Sequence, residues 1–179
     1  MSEDLPPALA PSFPERSFAV RRAAARLCVR LGWAPVHEMP LPNGRRADIF
    51  ALCPDGRFAC IEVKSGLRDF LTDGKWPEYR DFCDALYFAV DDAFPLALLP
   101  EKVGLIVASD GEAEVIREPE THPLAASRRR GLLHRFAWLA ASRPSSNRHS
   151  GRPAASPARS ASVSFATISV SRCDAVPPA

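Results

Sequence analysis

The chain has 179 residues, of which 46% are hydrophobic, so its length and composition suit one globular domain with its own core. No apolar run reaches the roughly 18 residues of a membrane-spanning helix. The acidic, Pro-rich start lacks the apolar segment of a secretory signal, and the five cysteines show neither C-x-x-C nor zinc-type Cys/His spacing. These features predict a cytoplasmic protein with reduced thiols.

The net charge of +2 divides unevenly along the chain. Residues 142–179 hold five Arg and one Asp, which gives +4, so residues 1–141 carry −2. The folded part is therefore not a bulk polycation, and any contact with nucleic acid must rest on local arginine clusters.

The positions of Pro and Gly and the spacing of apolar residues predict the first three segments of the chain. Residues 1–14 are Pro-rich and predict a flexible N-terminus. Ser17 suits the cap of a first helix that runs to Leu31 and stops at Gly32. Its inner face shows helical spacing at Val20, Ala24, Leu27, Cys28 and Leu31. A second stripe holds Arg22, Arg26 and Arg30. This stripe is more typical of a solvated face than of a phosphate-binding ridge. A strand over 33–41 follows.

Residues 45–64 predict a β-hairpin. Two apolar runs flank Pro54-Asp55-Gly56, which is typical of a three-residue hairpin loop because Pro suits its first position and Gly its left-handed last one. With Cys53 paired to Arg57, the numbers of opposed residues sum to 110, so Asp48 faces Glu62. Lys64 then lies on the same face as Glu62.

This pattern indicates a site for a divalent cation. Glu-x-Lys alone usually marks a solvated strand face, but two carboxylates opposite one another destabilise a sheet unless positive charge lies between them. Mg²⁺ needs only one or two carboxylates, together with water and phosphate oxygens. Lys64 can orient a water or neutralise charge on a phosphate. Asp48, Glu62 and Lys64 are therefore the candidate catalytic residues.

The remaining elements complete a three-layer α/β/α prediction. Residues 67–83 predict a loop leading into a second helix, with Pro77 in its first turn. Strands are predicted over 85–90 and 103–108, with Val115 and Ile116 extending the sheet, and a last helix starts at Pro123. The order is α-β-β-β-α-β, then an extra strand and a C-terminal helix around a mixed sheet. Residues 142–179, rich in Ser, Pro and Arg, predict a disordered tail.

The hairpin with Asp48 and then Glu62-Val63-Lys64, between two helices, resembles the PD-(D/E)XK nuclease superfamily, with Ala47 in place of its proline. A longer resemblance, over roughly residues 16–141, is to the MmcB family of DNA repair proteins. It is carried by Glu38, Gly44–Asp48, Ile61–Ser65, Asp69-Phe70, Asp73, Lys75-Trp76-Pro77, Tyr79-Arg80, Cys83-Asp84, Tyr87-Phe88-Ala89, Gly104–Ala108 and Ile116-Arg117-Glu118. The domain is therefore expected over 15–141.

The resemblance implies a restriction-endonuclease-like fold, a role in DNA repair and, at superfamily level, metal-dependent DNA cleavage. Under this interpretation Asp48, Glu62 and the Val63 carbonyl hold Mg²⁺ or Mn²⁺. Glu38 is either a further ligand, through water, or an ordinary acid on the surface of its strand. An endonuclease is favoured over an exonuclease, acting on the nucleoid in the cytoplasm. The expected partners are DNA and other DNA repair proteins, with no membrane.

Candidate DNA contacts surround this site. Arg45 and Arg46 are the preferred phosphate contacts. Lys75, at the start of the second helix, either reaches a phosphate or pairs with a nearby aspartate. Trp76 and Tyr79 lie three residues apart on that helix, where core packing is favoured over base stacking.

Two other functions remain open. The first is a catalytically weak or inactive DNA-binding or scaffolding module on the same fold, which the slightly acidic domain favours. The second is a small adaptor whose aromatic helix binds a repair partner.

Overall fold

The computed structural model describes residues 12–143, and the predicted tail over 142–179 lies almost wholly outside them. A six-stranded mixed sheet in the order β1-β2-β3-β4-β5-β6 has helices on both faces. The helices are α1 (Phe13–Arg30), α2 (Leu67–Thr72) and α3 (Ala126–Ser142), with 3-10 helices at Trp76–Phe82 and Leu96–Leu98, and the strands are β1 (Ala34–Pro40), β2 (Arg46–Leu52), β3 (Phe58–Val63), β4 (Ala85–Asp91), β5 (Gly104–Ser109) and β6 (Glu112–Arg117). The predicted order α-β-β-β-α-β is confirmed.

The β2–β3 hairpin forms as predicted. Cys53 N–H donates to the Arg57 carbonyl, and Gly56 closes the turn with a φ of 81°. The pairs Ile49↔Ile61 and Leu52↔Phe58 give the predicted register, because both sums equal 110. The turn chemistry alone therefore determined which residues of the two strands lie opposite one another.

The central strands are covered on both sides. β3, β4 and β5 run parallel, and the flanking pairs β1–β2, β2–β3 and β5–β6 are antiparallel. The core on one face includes Ile49 and Ile61 beside α1, and the core on the other includes Phe50 and Phe88 beside α3 and the first 3-10 helix. Burial on both faces explains why β3 is apolar at almost every position.

Helix α1 begins earlier than its sequence predicts. Ser12, not Ser17, precedes the helix, and the Glu15 carboxylate accepts hydrogen bonds from both the N–H and the hydroxyl of Ser12 at 2.7 Å. Pro14 lies in the first turn, where its missing N–H costs nothing. The segment predicted as a flexible N-terminus therefore overlaps the helix at residues 13 and 14, and its first 11 residues lie outside the described range.

The segment 67–83, predicted as a loop leading into a helix, contains two short helices. Helix α2 ends at Thr72, and the 3-10 helix Trp76–Phe82 follows with Pro77 in its first turn. Asp73 and Gly74 form the break between them. The break matters for the site, because it turns the Asp73 side chain towards the end of β3.

Asp84 is a buried polar link between β3, β4 and α3. Its carboxylate accepts the N–H of Phe58 at 2.7 Å and of Leu124 at 3.0 Å, and both guanidinium nitrogens of Arg129 bind it at 2.6 and 2.9 Å. Burial favours the neutral acid, but Arg129 and the two N–H groups outweigh it and lower the pKa of Asp84. The carboxylate therefore stays charged and joins the hairpin to the C-terminal helix.

Among residues 12–143, the helices are all too short or too polar to cross a membrane.

Replacing Asp84 by Ala is expected to lower the free energy of unfolding by about 3 kcal/mol, because Arg129 and two peptide N–H groups lose a buried partner. Urea denaturation followed by circular dichroism measures the change. The matched control is Asp81→Ala, since Asp81 is exposed and is expected to change stability by less than about 0.5 kcal/mol. Equal stabilities for the two variants would contradict this role of Asp84.

Candidate active site

Asp48 and Glu62 come together where the backbone pairing of β2 and β3 ends. Beyond the pair Ile49↔Ile61, the N–H of Asp48 points to Glu62 Oε1 at 3.3 Å, and the N–H of Val63 donates to Asp48 Oδ2 at 2.9 Å. Each carboxylate therefore accepts a peptide N–H from the opposite strand. The predicted closeness of the two acids is present, with side-chain hydrogen bonds in place of the regular ladder.

Strands β1 and β2 depart from regular strand geometry beside Asp48. The pairs on either side are His37↔Ile49 and Met39↔Ala47, so Glu38 faces Asp48, and Glu38 has a φ of 51°. Ala47 packs in the same core cluster as Phe50, three residues away, which strict alternation of strand side chains would forbid. Asp48 therefore lies in neither core cluster, and 24% of its side chain is exposed.

The two acids hold their protons more tightly than isolated carboxylates do. Burial and then the nearby Asp48 raise the pKa of Glu62 to about 8. Burial also raises the pKa of Asp48, against the N–H of Val63 and the charge of Arg21, which lower it. A pair of acids with raised pKa values is a place where added positive charge is stabilised.

Lys64 is buried at the end of β3, with 5% of its surface exposed. Its N–H donates to the Ala89 carbonyl at 2.9 Å, and its ammonium pairs with the carboxylate of Asp73. Asp73 also accepts the N–H of Lys75 at 3.2 Å. Although burial opposes it, the bond from Lys64 lowers the pKa of Asp73, which therefore stays charged. Asp73 thus fixes the lysine in place.

Arg21 of α1 supplies positive charge from the other side. Its guanidinium lies 2.7 Å from Glu38 Oε1 and 3.6 Å from Asp48 Oδ1. Arg46 binds the second oxygen of Glu38. Sequence reasoning considered the stripe of Arg22, Arg26 and Arg30 and passed over Arg21. Arg21 follows the apolar Val20, which is buried on the face of α1 that packs against the hairpin. This position could have indicated that Arg21 lies near the hairpin acids.

The arginines predicted to contact DNA are engaged in ion pairs. Arg45 makes a two-pronged pair with Glu78, at 2.9 and 3.0 Å. Arg46 pairs with Glu38 but keeps 69% of its side chain exposed. Lys75 is exposed at the start of the first 3-10 helix. Their contacts with DNA stay predictions, and Arg46 and Lys75 offer the more accessible charge.

The two aromatic candidates pack against the core. Tyr79 is 8% exposed, and its hydroxyl donates to the Arg46 carbonyl at 3.4 Å. Burial and then the nearby Glu62 raise the pKa of that hydroxyl. Trp76 packs edge-on against Phe88, with Arg80 over its ring. The tyrosine ring offers almost no surface to a base, and its hydroxyl instead lines the acidic site.

The donor set fits a small hard cation that keeps part of its water. Among residues 12–143, no three side chains of His, Cys, Asp or Glu come close enough to form a metal cage. Asp48 and Glu62 do converge, and Mg²⁺ uses one or two carboxylates with water and phosphate completing its shell. Glu38 is held by two arginines, so its predicted role as a ligand through water stays a prediction.

These features define an α/β protein with an acidic pair and a buried lysine at the open end of its β2–β3 hairpin. Residues 5–150 match the model of a family described as "DNA repair protein MmcB-like". The chain therefore belongs to the MmcB-like family of DNA repair proteins, which confirms the resemblance seen in the sequence.

A solved structure is also similar to this chain. The structure is that of the SPO1766 protein of unknown function from Silicibacter pomeroyi, which is 38% identical, with a TM-score of 0.67 over 70% of this chain and 86% of that one. No curated protein matches the chain.

Glu62→Gln is expected to stabilise the protein at alkaline pH in the absence of divalent cations. Since the pKa of Glu62 rises from 4.5 to about 8 on folding, its contribution is complete below pH 4.5 and is lost as the pH rises towards 8. The neutral amide avoids this loss. We expect a gain on the order of 2 kcal/mol at pH 9 and almost none at pH 4.

Thermal melts of both proteins in EDTA across this pH range measure the difference. Glu114→Gln, which changes an exposed glutamate on β6, is the matched control and is expected to leave the pH profile unchanged. A Glu62→Gln melting curve that follows the wild-type profile at every pH would contradict the assignment.

Proposed function

We propose that this protein is a Mg²⁺- or Mn²⁺-dependent deoxyribonuclease that hydrolyses phosphodiester bonds during DNA repair. The observation that carries the proposal is the convergence of Asp48, Glu62 and Lys64 at the end of the hairpin, with both acids hydrogen-bonded across the strands and the lysine held by Asp73. Membership of a DNA repair family supplies DNA as the expected substrate. The likeness to the PD-(D/E)XK superfamily supports the same chemistry.

Asp48, Glu62 and the Val63 carbonyl would hold the cation. When bound, the cation supplies Lewis acidity at the phosphate and lowers the pKa of a coordinated water. The Val63 N–H holds Asp48 in place, and the Asp48 N–H does the same for Glu62. Because these donors belong to the strands themselves, the carboxylates are oriented before any ligand arrives.

Lys64 would act on the nucleophile or on the developing phosphate charge. Its ammonium is buried and fixed by Asp73, so it presents a localised charge at a defined position. An ammonium so placed can orient an attacking water through its donors or stabilise the charge that grows on the phosphate oxygens. Tyr79 and the backbone around Arg46 close the other side of the acids.

Wild-type protein is expected to cut supercoiled plasmid in Mg²⁺ or Mn²⁺. Asp48→Asn removes a carboxylate that would hold the cation, and Lys64→Gln removes the ammonium that would act on the water or the phosphate. Each variant is expected to reduce the rate at least about 100-fold. Gel electrophoresis of plasmid, branched and single-stranded DNA measures cutting. Closed circular DNA has no ends, so its conversion to nicked or linear forms supports the proposed endonuclease over an exonuclease.

Asp55→Asn and Lys102→Gln are the matched controls, since both residues lie in exposed ion pairs away from the site. They are expected to cut at the wild-type rate. Equal rates in all four variants would assign the cutting to a contaminant and contradict the proposal.

The role of Asp73 is separately testable. Asp73→Asn leaves Lys64 without its carboxylate partner, so we expect cutting to slow about 10-fold or more while DNA binding is unchanged. Asp110→Asn in the β5–β6 turn is the control, because Asp110 is exposed and Asn also accepts its φ of 50°. Single-turnover cutting rates and fluorescence anisotropy of labelled DNA give the two measurements. A slower rate caused only by weaker binding would overturn this role.

A second function follows if the protein binds DNA without cutting it. The observation that favours this alternative is the ion pairing of Arg21, Arg45 and Arg46, which leaves little unpaired cationic surface beside the acids. Such a module would depend on other repair proteins for DNA affinity. DNA binding that is unaffected by Asp48→Asn and unaccompanied by cutting would support it.

A further inference from the structure

Arg21 is the cation placed at the acidic site from helix α1. Its guanidinium joins Glu38 of β1, at 2.7 Å, to Asp48 of β2, at 3.6 Å, so one side chain connects three elements. About 30% of the side chain is exposed, and its Nε is buried without a hydrogen-bond partner among the described residues. The guanidinium is therefore positioned by charge more than by a full set of hydrogen bonds.

The charges around Asp48 show why this position needs a cation. Glu38, Asp48 and Glu62 place three carboxyl groups within one short stretch of three adjacent strands. Arg46 reaches only Glu38 and is largely exposed, and Lys64 is held by Asp73. Among residues 12–143, Arg21 is the cation that pairs directly with Asp48, at 3.6 Å.

Resting on the proposed function, we propose that Arg21 is an internal counter-ion of Asp48 that competes with the divalent cation for this carboxylate. Without metal, the guanidinium stabilises Asp48 and Glu38. With metal at Asp48, the two positive groups repel one another at short distance. Arg21 is thus a positioning residue that lowers the metal affinity of the site and stabilises its metal-free form.

The proposal predicts opposite effects on stability and on metal affinity. Arg21→Gln should lower the melting temperature in EDTA, because Asp48 loses its cation. The same variant should bind Mn²⁺ at least roughly 10-fold more tightly, since a unit charge about 6 Å from a divalent ion weakens its binding by about this factor even at the dielectric constant of water. A merely structural arginine would lower stability without tightening metal binding.

Isothermal titration calorimetry with Mn²⁺ alone, beside thermal melts in EDTA, tests this directly. Arg21→Met is a second neutral variant that keeps the unbranched stem and high helix propensity if Arg21→Gln folds poorly. Arg21→Lys keeps the charge and is expected to restore most of the wild-type values. Arg22→Gln is the matched control, because Arg22 is exposed beside Phe18 and is expected to change neither measurement.

Equal or weaker Mn²⁺ binding by both neutral variants overturns the role of Arg21. If the wild type nevertheless binds Mn²⁺ and cuts DNA, the proposed function stands while this inference fails. If the wild type binds no Mn²⁺ under any condition, the metal-dependent function itself fails and the inference fails with it. Tighter binding in both neutral variants, with wild-type behaviour in Arg22→Gln, is the supporting result.

Discussion

The site depends on two hydrogen bonds between β2 and β3. In each of them a peptide N–H of one strand binds the carboxylate of the other strand, at Asp48 or at Glu62. Two acids this close and this shielded from water repel one another, and each N–H that binds the other strand's carboxylate offsets part of that repulsion. Further positive charge comes from α1 through Arg21. Lys64 pairs with Asp73, and its charge also lowers the pKa of both acids, against the larger effect of their burial.

The sheet makes this arrangement rigid. The neighbouring β3 and β4 run parallel, and the backbone of Lys64 continues that pairing by binding the Ala89 carbonyl. Both faces of these strands are buried, and Asp84 ties the start of β3 to α3. A site built at the end of such strands is held more precisely than one on a loop, which suits a reaction governed by positioning. The MmcB-like family match places this scaffold among DNA repair proteins.

Local chemistry was sufficient for the hairpin and for the order of elements. Pro54 and Gly56 determined the turn, the turn determined the register, and the register placed Asp48 near Glu62. The start of α1 was mispredicted because prolines were treated as helix breakers, although Pro14 lies in the first turn, where the N–H has no partner to lose. Helix α2 was missed, and its segment predicted as loop, because six residues directly after Ser65-Gly66 are too few to show a helical pattern clearly.

The sequence by itself determined the three-layer α/β class, through the order of its helices and strands. It also determined the closeness of the two acids and the lysine, through the spacing of these residues along one hairpin. The tertiary structure alone decided which charges surround them. Arg21 comes from a helix 27 positions before Asp48, and Asp73 from a loop nine positions after Lys64. Such partners are chosen by the packing of layers, which no periodicity within a single segment encodes.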